Sequence, residues 1–300
     1  MPAEDYRKYL KPEIISKLKS MEMRARMVVE GFIAGLHKSP YHGFSVEFAE
    51  HRQYMPGDEI KHIDWKVFGK TDRFYVKQFE EETNLKSYLL LDASASMGYS
   101  SNGINKLQYA SYLAAALTYL MIKQRDAVGL LTFDHKIRKY LPPRSIKSYL
   151  HLILQEFERL ESAEVTDVSS TFHEMAERID RRGLVVILSD LYDDPEKIML
   201  ALKHFRHKKH EVIVFHILDP LEISFNFKKE AVFKDLETGE EIATQPWHIQ
   251  REYQEKVSRF IDNYKRQCRQ NQIDYVLINT DMDFDRALIE YMIKRKRIGG

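Results

Sequence analysis

The chain is poor in cysteine, and its single thiol, Cys268, excludes an internal disulfide and any metal site built on cysteine pairs. No sign of charge dominates: 46 lysines and arginines stand against 45 aspartates and glutamates, a net charge of +1 at pH 7. A protein whose main partner is bulk nucleic acid carries a basic excess, and an acidic disordered chain carries the opposite one, so both classes are set aside. Long apolar runs are missing as well, and none approaches the ~18–20 residues that cross a bilayer. The first residues, MPAEDYRKYLKPE, are charged and lack the apolar core of a secretory signal. Glycine and proline, 12 and 9 in 300 residues, form no linker between independent domains. No period of about 20–50 residues recurs, which excludes a repeat architecture. Together these absences predict a soluble, cytoplasmic protein with no membrane insertion and no nucleic-acid partner.

What is present is an ordinary globular composition, 44% hydrophobic and 30% charged, over a length that suits two domains or one large α/β domain with an appendage. Ile14, Leu18, Met21, Ala25, Val28 and Phe32 recur at helical spacing, so one helix is expected over 12–37, ended by Ser39-Pro40 and Gly43. From 41 to 86 the texture is short and β-like, with a turn at Met55-Pro56-Gly57-Asp58 and an alternating segment from Arg73 to Phe79. From 87 onward it becomes α/β. Strands are expected at Tyr88–Leu91, Ala127–Phe133, Leu184–Leu188, Val212–Leu218 and Tyr275–Ile278, with a short edge strand from Lys136 to Leu141 before Pro142-Pro143. Leu107, Ala110, Leu113, Leu117 and Leu120 mark a strong helix, and further helices fit 168–180, 195–206, 247–271 and 284–295. A hairpin near 222–245 breaks the alternation. The predicted fold is a doubly wound, mostly parallel α/β sheet over 84–300, preceded by a helix and small β module over 1–83.

The first α/β strand runs into Asp92-Ala93-Ser94-Ala95-Ser96. Alternate residues of an extended turn point the same way, so one carboxylate and two hydroxyls converge. Hard oxygens at short reach suit Mg2+, Mn2+ or Ca2+ rather than Zn2+. The same residues also serve as ordinary helix caps in many strand-to-helix turns. A second strand ends at Ser189-Asp190, and in a sheet of order 3-2-1-4-5-6 the first and fourth strands are neighbours, which places Asp92 and Asp190 together above the sheet. Thr166 can add a third hydroxyl. Two close carboxylates repel, and a divalent ion resolves that repulsion economically.

At these residues the chain resembles a family. Asp92-x-Ser94-x-Ser96, Thr166 and Asp190 are similar to the metal-ion-dependent adhesion site of von Willebrand factor A domains. Glu164-Val165 stand before Thr166 where such loops commonly have glycine, which leaves Ser169, Ser170 and Thr171 as alternatives. More narrowly, the chain resembles the bacterial DUF58 family through Gly43-x-x-Val46-Glu47-Phe48, Arg52 to Asp58, Ile63-Asp64-Trp65-Lys66, Phe79-Glu80-Glu81-Glu82 and the segment Phe233 to Gly239. That resemblance implies a von Willebrand factor A-like fold and a divalent cation, Mg2+ first, held by Asp92, Ser94, Ser96, Thr166 and Asp190. It further implies a non-enzymatic adaptor or assembly factor that receives an acidic side chain of a protein partner and works with a MoxR-type AAA+ ATPase.

Other readings stay beside this one. A Mg2+-dependent phosphohydrolase also places an Asp after the first strand, but needs a second Asp two residues on, where Ser94 stands. A structural interaction domain with no metal is the third. Trp65 with Ile60 and Ile63 reads as a packed mini-core; if that segment functions, Arg52, Tyr54, Asp58, Asp64 and Trp65 form a docking surface. His204, His207 and His210 read as a solvated helix end, and Lys294-Arg295-Lys296-Arg297 as a solvated charge run. No P-loop, zincin or G-x-S-x-G pattern is present.

Overall fold

A computed structural model of the chain describes residues 11–36, 51–54, 65, 68–69, 72–77, 85–162, 169–179, 181–227, 231–234 and 241–299. Leucine and β-branched runs form the middle of its main sheet, because each strand there is covered on both faces and tolerates no polar alternation. In chain order the elements are α1 (Pro12–Ser16), α2 (Met21–Leu36), β1 (His51–Gln53), β2 (Tyr75–Lys77), β3 (Lys86–Asp92), α3 (Lys106–Lys123), β4 (Ala127–Phe133) and β5 (Ile137–Arg144). They continue as α4 (Lys147–Arg159), α5 (Ser169–Arg178), β6 (Leu184–Ser189), α6 (Pro195–His207), β7 (Glu211–Leu218) and α7 (Pro220–Ser224). The chain then runs through β8 (Ala231–Lys234), β9 (Glu241–Thr244), α8 (Pro246–Gln270), β10 (Asp274–Asn279) and α9 (Asp285–Gly299).

The main sheet has the order β10-β7-β6-β3-β4-β5, parallel except for β5, which pairs antiparallel with β4. Counted within the α/β domain this is the expected 3-2-1-4-5-6. Successive residues of β3 serve opposite faces. Leu89 and Leu91 join a core with α2, α3, α4 and α9, whereas Tyr88 and Leu90 join one with α5, α6 and α8. Asn105 caps α3 with its side chain, and Gln108 completes a capping box. That helix is buried nearly all round, as its alanine-rich sequence allows, because α2 packs over its outer side.

The structure departs from the sequence reading in four places. The helix expected over 12–37 is broken at Lys17–Ser20: Ser20 accepts from the Met23 N–H at 3.3 Å and starts a new helix. Ile14, counted on its buried face, is exposed, and Ile15 is buried instead. The edge strand β5 runs through Pro142-Pro143 to Arg144, with register shifts against β4. An edge strand can hold prolines because one side of its ladder is unused. Gly129 makes room there, since a Cβ would stand 2.8 Å from the Leu141 carbonyl oxygen and 3.0 Å from Pro143. Finally, α4 was not anticipated, although Tyr149, Ile153, Leu154 and Phe157 form its buried stripe.

The expected hairpin is present as β8 and β9, antiparallel, with Phe233 opposite Ile242. Its turn lies outside the described residues. Phe225, Phe233 and Tyr253 stack, with the Phe225 centroid 5.2 and 4.0 Å from the other two, which seats the hairpin against α8.

Candidate functional site

The C-terminal ends of β3 and β6 are neighbours, since Leu91 pairs with Leu188. Asp92 ends β3 and Asp190 directly follows β6; both carboxylates are buried, 1% exposed. The Asp92 carboxylate accepts the Ser94 N–H at 2.9 Å on one oxygen and the Ser189 hydroxyl at 2.5 Å on the other. The hydroxyls of Ser94 and Ser96 lie 3.1 Å apart, where the chain enters a short 3-10 turn over Ser96–Gly98. Asp92, Ser94 and Ser96 therefore share one turn. Burial first, and the nearby Asp190 charge second, push the Asp92 carboxyl up to about 7 despite the bonds from Ser189 and Ser94.

Asp190 is served differently. Lys106, the first residue of α3, sends its ammonium to Asp190 Oδ2 at 2.8 Å and to Glu222 Oε1 at 2.6 Å. Burial opposes a charge on Lys106, but the two carboxylates outweigh it and hold its pKa above the ordinary lysine value. For Glu222, burial wins and the carboxyl is pushed above its ordinary range, against the pull of Lys106. The other Glu222 oxygen accepts the Asp219 N–H at 2.7 Å, so it is also part of the capping box of α7. The ring of Tyr192 lies 4.8 Å from the ammonium.

Two further contacts fix the loop after β6. His216 Nε2 lies 2.8 Å from the Asp190 carbonyl oxygen, which can only accept, so that nitrogen carries the proton and Nδ1 accepts from the Tyr275 hydroxyl at 2.5 Å. Burial pushes the His216 pKa down to about 4, keeping the ring neutral. Leu191 follows with φ 55°, a left-handed conformation that a leucine adopts only when its surroundings impose it. Its N–H bonds Ser189 Oγ at 3.0 Å, and its carbonyl accepts from Tyr264 at 3.3 Å.

Chemically, the turn offers a desolvated carboxylate and two small hydroxyls to a hard cation. Residues 50–261 match the family described as protein of unknown function DUF58. The chain belongs to the DUF58 family. This DUF58 protein is 24% identical over 291 residues to the uncharacterized proteins Rv1480 of Mycobacterium tuberculosis and Mb1516 of Mycobacterium bovis, covering 95% of this chain and 91% of each relative. Among solved structures it is similar to the conserved hypothetical protein BatB of Bacteroides thetaiotaomicron, at 16% identity and a TM-score of 0.46, covering 70% of this chain and 99% of that one. An aerotolerance-related membrane protein of Bacteroides fragilis gives 17% identity, a TM-score of 0.45 and the same coverage of 70% and 99%. No described helix of the DUF58 chain is long and apolar enough to cross a membrane.

Of the residues expected to hold a cation, the fold brings Asp92, Ser94, Ser96 and Asp190 to one end of the sheet. Thr166 lies outside the described residues. The alternative Thr171 is buried in the first turn of α5, and its hydroxyl has no hydrogen-bond partner among the described residues. Its neighbour Phe172 packs 5.0 Å from Phe133, whose carbonyl accepts the Ala93 N–H. Among the described residues no group of three or more His, Cys, Asp and Glu side chains is placed to hold a metal.

The predicted docking segment is partly visible. Arg52 pairs with Val76 across β1 and β2, and the Tyr54 N–H bonds the Phe74 carbonyl at 2.9 Å. Trp65 is 58% exposed and meets Phe68 and Phe74 edge-on. Its described partners are thus aromatic; Asp58, Ile60, Ile63 and Asp64 lie outside the described residues. Two charge readings need correction. His210 is buried beneath Ile179 rather than solvated, and Lys294 and Arg295 are structural, bonding Glu211 with Asp274 and Asp126 respectively.

Lys106, Ser189, Glu222 and His216 join the site without having been marked as site residues by any sequence motif. One signal was available for Lys106. A lysine directly after the Asn105 cap sits where a helix's positive end disfavours cations, and such a misplacement asks for a carboxylate nearby.

Proposed function

We propose that this DUF58 protein is a non-enzymatic adaptor or assembly factor whose Asp92 turn binds a protein partner through a divalent cation, Mg2+ before Mn2+ or Ca2+. The observation that carries this reading is Asp92: a buried carboxylate that makes no ion pair among the described residues and lies beside a second carboxylate. A buried anion without a positive partner is costly, and a hard cation ligated by Asp92, Ser94 and Ser96 relieves that cost. Asp190, and Thr166 or Thr171, complete the donor set. The orphaned hydroxyl of Thr171 supports a donor set larger than the described bonds use. Bound there, the ion supplies positive charge for an acidic side chain of the partner.

The partner proposed from the family resemblance is a MoxR-type AAA+ ATPase in the cytoplasm. Co-purification of the full chain with that ATPase, in Mn2+ and in chelator, tests it. Capture should require the ion and should be lost in Asp92→Ala. Equal capture under all conditions contradicts the metal dependence, and no capture contradicts the partner.

A metal-free structural domain is the second reading, and the Lys106–Asp190 pair favours it, because the protein already supplies one of the two carboxylates with a cation. The hydrolase reading gains nothing, since Ser94 occupies the position of the acid/base carboxylate. Turnover of a generic phosphate ester by the Mn2+-loaded chain would revive it.

A further inference from the structure

Lys106 is in a doubly unfavourable place. It opens a helix, where the backbone's partial positive charge repels it, and its side chain is 0% exposed, where an ammonium has lost its water. A leucine or methionine would match the aliphatic part of the lysine without the charge. The ammonium instead spans two loops, from Asp190 after β6 to Glu222 in α7, with Tyr192 against it.

Asp92 and Asp190 share one environment, but among the described residues only Asp190 pairs with a cation. We propose that Lys106 is the residue that sets how strongly the Asp92 turn binds a divalent ion: it holds Asp190 as its own counter-ion and opposes a second cation placed beside it. The inference rests on the metal reading above and deepens it. A site with two free carboxylates would hold a divalent ion firmly on its own. With Asp190 shared with an ammonium, it is a weakened donor, and the ion depends mainly on Asp92, the hydroxyls and whatever acidic group a partner brings. Lys106 thereby couples ion retention to partner binding, since the partner's carboxylate replaces the negative charge that Lys106 withholds.

A purely structural Lys106 makes a different prediction. It would change stability and leave the ion's affinity where it was. The test is titration calorimetry of the full chain with Mn2+, comparing wild type with Lys106→Met, Lys106→Arg and the double variant Lys106→Met/Glu222→Gln. The double variant removes one of the two carboxylates that the methionine would strand and leaves Asp190 for the ion, which favours a folded protein for the measurement. The Lys106→Met proteins should bind Mn2+ about tenfold or more tightly than wild type, with Lys106→Arg close to wild type. Unchanged or weaker affinity in the folded double variant overturns the role of Lys106 and leaves the metal reading standing. Absence of Mn2+ binding in every protein, the double variant included, overturns both.

Discussion

Two lysines at opposite ends of the same sheet each bridge two carboxylates with nearly the same geometry. At the C-terminal end Lys106 reaches Asp190 at 2.8 Å and Glu222 at 2.6 Å; at the N-terminal end Lys294 reaches Glu211 at 2.7 Å and Asp274 at 2.8 Å. Their surroundings differ. Lys106 and its two carboxylates are 0, 2 and 14% exposed, whereas Lys294 and its two are 8, 25 and 33% exposed. Arg206 and Arg297 also approach the Lys294 acids, at 2.9 and 3.7 Å, so that end has spare cations. Distance alone therefore says little about what an ion pair does. The Lys294 cluster ties α9 to the start of two strands with water nearby. The Lys106 cluster is dry and leaves a neighbouring carboxylate, Asp92, unpaired among the described residues.

Removing each ammonium should separate the two clusters most strongly. Lys106→Met leaves two buried carboxylates stranded, and denaturant unfolding should show a loss of about 3–5 kcal/mol, of which the added Glu222→Gln recovers a part. A loss no larger than that at Lys294 would show that the two clusters do not differ in this way.

Asp92→Asn comes next, read through pH in metal-free buffer. Asp92 has a folded pKa of about 7, above its ordinary 3.8, so between those values the unfolded chain has released a proton that the folded chain retains. Stability from this group is present at low pH and falls as pH rises toward 7. His216 works in the opposite sense: its folded pKa of about 4 lies below the ordinary 6.5, so over that window the unfolded chain binds the extra proton and stability rises with pH. Wild type sums two opposed slopes. Asp92→Asn should leave the rising one, so its unfolding midpoint should gain more than wild type's between pH 5 and 7; parallel profiles would contradict this.

Gly183→Ala probes the N-terminal end without touching charge. A Cβ there would collide with the Lys86 carbonyl group, which is backbone and cannot swing aside. Thermal or denaturant unfolding should register a loss of about 1–3 kcal/mol, with Mn2+ affinity unchanged. The smallest effect is expected from Lys294→Met, about 1 kcal/mol by the same unfolding assay, because its carboxylates keep arginines and water.

The contrast also marks what the sequence could tell. Strands β4, β6 and β7 were legible within a residue because their runs are almost wholly apolar, interrupted only by residues such as Thr132 and His216, a consequence of burial on both faces. The Asp92-x-Ser94-x-Ser96 spacing was legible because its geometry is local. Helix α4 was overlooked beside the prolines of β5, although the spacing of Tyr149, Ile153, Leu154 and Phe157 carried it. The break between α1 and α2 needed the Ser20 cap to be recognised. Lys106 could not be paired from the sequence, since its carboxylates lie 84 and 116 residues away. Likewise, Lys294 and Arg295 sit in a basic run that resembles any solvated terminus until Glu211, Asp274 and Asp126 are brought to it by the sheet.

Everything proposed for the Asp92 turn depends on its taking a divalent ion. The most direct test is calorimetric titration of the full chain with Mn2+ beside Asp92→Ala, repeated with an excess of acetate as a stand-in for a partner carboxylate. Saturable binding of one ion is expected, strengthened by acetate and abolished in the variant. Binding that survives Asp92→Ala, or no binding in either condition, would contradict it.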